Sequence, residues 1–159
     1  MPNLVFAGAV TAIAAATPAL AESHFEQLLS LETDCWDVHA ALKNGERGFV
    51  LLDVRSPELF AAGRIPSAVN LPYGQITQRN LERFPQETLL VVYCSGPHCN
   101  GADKAAVRLA RLGRRVKKMI GGITGWKAEG FVLTTSVAAA EVDAPQTVSA
   151  VASEPAGAQ

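Results

Sequence analysis

The sequence predicts an α/β fold in which helices cover both faces of a parallel sheet, and three observations carry the prediction. Short, wholly apolar runs occur at Phe49-Val50-Leu51-Leu52 and Leu89-Leu90-Val91-Val92-Tyr93, the pattern of strands buried on both faces. Helix-start signals follow directly on a strand end: Asp53-Val54-Arg55 gives way to Ser56-Pro57-Glu58, which reads as N-cap, first helical position and acidic first turn. Ala102, Ala105, Ala106, Leu109 and Leu112 fall on one helical stripe that Gly113 closes, with Arg108 and Arg111 near its C-terminus. Strand and helix in alternation imply a parallel sheet.

The remaining elements follow from local signals. Ser23 and Glu26 form a capping-box pattern ahead of Phe25, Leu28 and Leu29, so a helix is expected to start near Ser23. A short helix is expected over residues 35–43, with Asp34 as its cap and Gly45 as its stop. The helix begun at Ser56 is expected to run to Ala62 and stop at Gly63. Residues 68–71 and 116–120 read as further strands, and a last short helix is expected around residues 126–129.

A chain of 159 residues fits one domain with a sizeable core. Lys plus Arg number 14 against 15 Asp plus Glu, a net charge of −1 that gives no reason to expect nucleic acid or an anionic membrane as partner. Residues 1–21 are an Ala-rich leader in which residues 4–16 are apolar and uncharged, and Ala19-Leu20-Ala21 has the form of a signal-peptidase site. No Lys or Arg precedes the run, so a cytoplasmic chain is expected, with export to the periplasm the alternative if 1–21 is a cleaved signal. No stretch is apolar enough to favour a retained membrane span. The domain with its N-terminal helices is expected at 22–133, and residues 134–159, rich in Ala, Pro and Ser without Lys, Arg or aromatics, as a disordered tail.

Three cysteines are too few, and the chain too long, for a disulfide framework, which turns attention to a reactive thiol. Cys94 stands at the carboxyl end of an expected strand and ahead of the strongest expected helix, the edge where open α/β sheets bind ligands. A free cysteine is only about 3% thiolate at pH 7, so a catalytic one needs activation. A helix N-terminus supplies it, and Gly96 and Gly101 let the loop backbone wrap around one sulfur. Cys35, inside a short helix beside Trp36, reads as a packing residue.

Four motifs in order now carry a resemblance: Leu51-Leu52-Asp53-Val54-Arg55; Gly63-Arg64-Ile65-Pro66-Ser67-Ala68-Val69-Asn70-Leu71-Pro72; the Cys94 loop; and Gly121-Gly122-Ile123-Thr124-Gly125-Trp126. Through them residues 49–132 resemble a rhodanese-like domain of the single-domain sulfurtransferase family. The resemblance implies a five-stranded parallel sheet with helices on both faces and a loop thiolate that takes a sulfane sulfur from thiosulfate or a persulfide donor. The sulfur then passes to a thiophilic acceptor, a thiol, cyanide or an acceptor protein, with no cofactor or metal ion. Cys94 falls on the family's nucleophile, with Ser95, Gly96, Pro97, His98, Cys99, Asn100 and Gly101 as the substrate-binding loop. Asp53 and Arg55 match positions expected to support that loop structurally.

The chain departs from the family pattern in its loop. From Cys94 to Asn100 the loop reads as one residue longer than the usual six, and it holds no Lys or Arg, His98 being its only candidate cation. A dianionic donor would be held poorly, which favours a persulfide. Related phosphatases and arsenate reductases place Arg six residues after the cysteine; here that residue is Asn100, which lacks the fork suited to phosphate. Cys99 is a candidate resolving thiol, able to attack a Cys94 persulfide and release sulfide provided the two Cα atoms lie within about 7 Å. The competing function is a non-catalytic protein-binding module of the same fold.

Overall fold

The computed structural model describes residues 8–135; the first seven residues of the expected leader and the expected tail from residue 136 onward lie outside the described residues. Five strands make one sheet, in the order β1 (Glu32–Thr33), β5 (Val116–Met119), β4 (Leu89–Tyr93), β2 (Phe49–Asp53) and β3 (Val69–Asn70). Every neighbouring pair is parallel. The helices are α1 (Pro18–Leu31), α2 (Cys35–Lys43), α3 (Pro57–Ala62), α4 (Gln78–Leu81), α5 (Gly101–Arg111) and α6 (Gly122–Ala128), with a 3-10 turn at Tyr73–Gln75. Among the described residues, no helix is long and apolar enough to cross a membrane.

The two central strands explain why both sheet faces are covered. Successive strand side chains point to opposite faces, so an apolar run buries alternate residues in two different cores. Leu52, Leu90, Val92 and Cys94 meet Leu81 of α4 and Ala102, Ala105 and Leu109 of α5 on one face. On the other, Leu51, Val91 and Tyr93 meet Cys35 and Val38 of α2 and Trp126 of α6. β4 has neighbours on both edges, β2 in register from Phe49–Leu89 to Asp53–Tyr93 and β5 from Leu90–Val116.

Local signals set most boundaries. The Asp34 side chain accepts from Asp37 N at the start of α2, and Ser56 caps α3 ahead of Pro57, as the sequence predicts. Four expectations shift. α1 starts at Pro18 under a Thr17 cap, not at Ser23, because Pro at the first position and a hydroxyl before it are the stronger start signal. β1 falls between the two N-terminal helices, where the sequence reading places no strand, since a two-residue edge strand has no period to read. α6 begins at Gly122 rather than near Trp126, because Gly121, at φ +86°, opens the turn into it. Thr134, assigned from sequence to the tail, pairs antiparallel with Arg64.

At the carboxyl end of β2 and β4 lies a buried polar cluster. Asp53 is fully buried and accepts from Arg55 Nη2 at 2.6 Å and from Tyr93 Oη at 2.8 Å. Arg55 also donates to Gly63 O at 2.7 Å, and Tyr93 Oη accepts from Ile65 N at 3.3 Å. Asn70 Nδ2 donates to the carbonyls of Asp53 and Arg55, both at 3.0 Å. Burial works against charge on Arg55, but the hydrogen bond and the charge of Asp53 outweigh it and hold its pKa above the ordinary value. The Tyr93 phenol is pushed up by burial first and by the Asp53 charge second, so it stays protonated and donates.

Removing one member strands the others. Asp53→Ala is expected to cost about 3–5 kcal/mol, because it leaves a buried guanidinium without its counter-charge. Urea unfolding reads this as a lower midpoint at unchanged slope. A loss below about 1 kcal/mol would contradict the cluster's role.

Candidate active site

Cys94 follows the last residue of β4 and is 8% exposed, at the carboxyl edge of the sheet. Residues 94–100 form the loop between β4 and α5. Two straps hold it. Cys99 N donates to Gly96 O at 3.0 Å, which folds the loop back on itself. From α6, Ile123 N donates to Cys94 O at 3.1 Å and Thr124 N to Ser95 O at 2.9 Å, with Thr124 Oγ1 adding 3.0 Å to the same carbonyl. The Gly121-to-Trp126 motif is therefore the floor on which the loop sits. Gly122, at φ +56°, is required there: a Cβ would overlap the Cys94 carbonyl oxygen and lie 2.9 Å from Gly96 N.

α5 meets the loop with its N-terminus. Its first intrahelical bond runs from Lys104 N to Asn100 O, and Asn100 makes no side-chain cap bond, so helix geometry leaves the first-turn amides for another acceptor. That end of the helix lies against the sulfurs: a Cβ on Gly101 would stand 2.8 Å from Cys94 Sγ and 3.3 Å from Cys99 Sγ. Positive helix ends stabilise anions, a cysteine thiolate among them. The two sulfurs are bonded to each other, with Cα atoms 6.5 Å apart, inside the span a disulfide requires.

Cys94, Gly96, Pro97 and Cys99 open on a cavity of about 190 Å³ whose far wall includes Lys118 of β5. Lys118 is the cation of this cavity, and the sequence reading missed it, because a lysine in a short strand reads as a solvent-facing residue. Its Nζ lies 2.9 Å from Glu32 and 2.8 Å from Asp103, and both carboxylates raise its pKa, the Asp103 bond first. His98, the cation expected from sequence, is exposed and does not line the cavity. Asn100 is exposed on the outer side of the loop.

Asp53 and Arg55 bond to Tyr93, Gly63 and Asn70. They fix the strand end immediately before Cys94, the point from which the loop departs. Cys35 is the free cysteine among the described residues, 5% exposed, with its Sγ 3.4 Å from Ile120 O. Burial, then the charges of Asp34 and Glu129, push its thiol from 9.0 up to about 11. The folded chain thus holds this proton more tightly than the unfolded one. Its contribution to stability is complete below pH 9.0 and lost as pH rises through about 11. No group of three or more His, Cys, Asp or Glu able to hold a metal ion occurs among the described residues.

Known proteins resemble the chain in sequence and in architecture. The chain is 40% identical over 92 residues to the HTH-type transcriptional regulator Rv0324 of Mycobacterium tuberculosis, covering 57% of this chain and 40% of that protein. It is 35% identical over 84 residues to a sulfurtransferase of Allochromatium vinosum, covering 52% of this chain and 75% of that protein. It therefore spans less than half of the first relative and most of the second. A crystal structure of the BH2092 protein from Bacillus halodurans superposes with a TM-score of 0.74 at 38% identity, over 76% of this chain and 88% of that one. A family profile described as Rhodanese-like domain matches residues 37–129, and with more than half of its length so matched, the chain belongs to the rhodanese-like domain family.

Proposed function

We infer that the chain is a sulfurtransferase in which Cys94 takes a sulfane sulfur from a small donor, carries it as a persulfide and passes it to a thiophilic acceptor. One observation carries the reading: Cys94 Sγ lies against the N-terminus of α5 at the mouth of a cavity, where a sulfur anion is stabilised. In the first half-reaction the thiolate attacks the donor's outer sulfur and the remainder leaves, as sulfite from thiosulfate or as a thiolate from a persulfide. In the second, an acceptor nucleophile attacks the outer sulfur of the persulfide and Cys94 returns as thiolate.

The charges around the cavity bear on the donor. Lys118 is shared between two carboxylates, so these three side chains together carry a net negative charge. A thiosulfate dianion meets little net attraction there, whereas a low-molecular-weight persulfide delivers its sulfur with less charge at the reacting end. The reading names the persulfide as the better of the two donors.

The test is intact-mass spectrometry of the reduced chain carrying Cys99→Ser, which keeps Cys94 as the sole thiol of the loop. Incubation with glutathione persulfide is expected to add one sulfur atom, thiosulfate to add it more slowly, and a chain carrying Cys94→Ser to gain nothing at that position. Absence of the added sulfur with both donors would contradict the reading and leave the non-catalytic module in its place.

A further inference from the structure

We propose that Cys99 resolves the Cys94 persulfide within the chain, so that the sulfur leaves as sulfide and the loop closes as a disulfide to be reopened by a dithiol reductant. The proposal rests on the sulfur-transfer reading and names what that site does with its sulfur. Three features of the geometry support it. The two Cα atoms are 6.5 Å apart and the sulfurs reach each other within one turn of loop, held by the Cys99 N to Gly96 O bond. Both sulfurs lie beside the N-terminus of α5, so the stabilisation that suits one thiolate suits the other. Both also line the same cavity of about 190 Å³, which leaves space for an outer sulfur on Cys94 and a path for it to depart.

The chemistry balances with the groups present. The Cys99 thiolate attacks Cys94 Sγ, the inner sulfur of the persulfide. The bond between Cys94 Sγ and the outer sulfur breaks, and the outer sulfur leaves with the electron pair. It takes up the proton that Cys99 gave up and departs as hydrosulfide. The outer sulfur is reduced by two electrons and the two cysteine sulfurs are together oxidised by two. Return to the dithiol needs two electrons and two protons from a dithiol, through a mixed disulfide on whichever sulfur is attacked first.

Gly101 fits this use of the loop. A side chain there would press into Cys94 Sγ at 2.8 Å and Cys99 Sγ at 3.3 Å, so the glycine keeps open the space in which the two sulfurs meet. A cysteine that only packs or faces solvent needs no such clearance. Cys35 provides the contrast, since it is buried against Ile120 O on the opposite face of the sheet and shares no cavity with Cys94.

The experiment is a single turnover under anaerobic conditions, with the full chain reduced, freed of reductant and mixed with glutathione persulfide or thiosulfate. Sulfide is counted, and the product is read by intact mass and by peptide mapping without reduction. The wild-type chain is expected to release one sulfide per chain and to end two hydrogens lighter, with Cys94 linked to Cys99. The Cys99→Ser and Cys99→Ala chains are expected to keep one added sulfur on Cys94 and to release none. A wild-type chain that keeps the added sulfur and releases no sulfide, as the variants do, would overturn the proposal while leaving sulfur transfer intact. Failure of the variants themselves to gain sulfur would instead sink the reading on which it rests.

Discussion

The hydrogen bond from Tyr93 to Asp53 joins the stability of the fold to the placement of the Cys94 sulfur. Tyr93 is the last residue of β4 and its neighbour is Cys94, so whatever fixes the phenol fixes the point from which the loop departs. Asp53 ends the adjacent strand and carries Arg55 with it, and Asn70 of the next strand closes on both their carbonyls. Three strand ends are thereby tied into one edge. A buried carboxylate is costly unless satisfied, and here it accepts from a guanidinium, a phenol and a backbone amide at once. Such a cluster contributes less by net stabilisation than by permitting a single arrangement of the edge.

From that edge the site is assembled by position rather than by an array of catalytic side chains. β4 delivers Cys94, α5 presents its N-terminus to the sulfur, and α6 supports the loop through three hydrogen bonds to two consecutive carbonyls. The cavity's cation comes from a different strand and arrives already paired. Backbone dipoles therefore supply most of the local positive potential, which suits a small sulfur anion better than a multiply charged oxyanion. The same geometry places a second thiol, that of Cys99, beside Cys94 in the same cavity.

How much of this was legible follows the physics of each signal. β2, β4, α2, α3 and α5 could be read because double-sided burial, side-chain caps and a helical stripe leave marks within a few residues. β1, two residues long, leaves none, and its pairing is decided by tertiary contacts alone, while α4, four residues long, carries only its Thr77 cap. Cys94 and its loop were legible from a strand, glycines and a helix in sequence. The distance between Cys94 and Cys99 was not, since five residues of loop can place two sulfurs together or far apart. Lys118, Asp103 and Glu32 were invisible as a group because their meeting depends on β1, β5 and α5 becoming neighbours.

The most direct test of the central claim, that the fold singles out the sulfur at the end of β4, is the alkylation rate of each cysteine. The native chain is reduced, freed of reductant and treated with iodoacetamide at neutral pH, and the labelled peptides are counted over time. Cys94 is predicted to react well ahead of Cys35, whose thiol is pushed up to about 11 and is predicted to remain unlabelled until the chain unfolds. Labelling of Cys35 as fast as Cys94 in the folded chain, or a Cys94 that reacts no faster than a thiol in an unfolded peptide, would contradict the account.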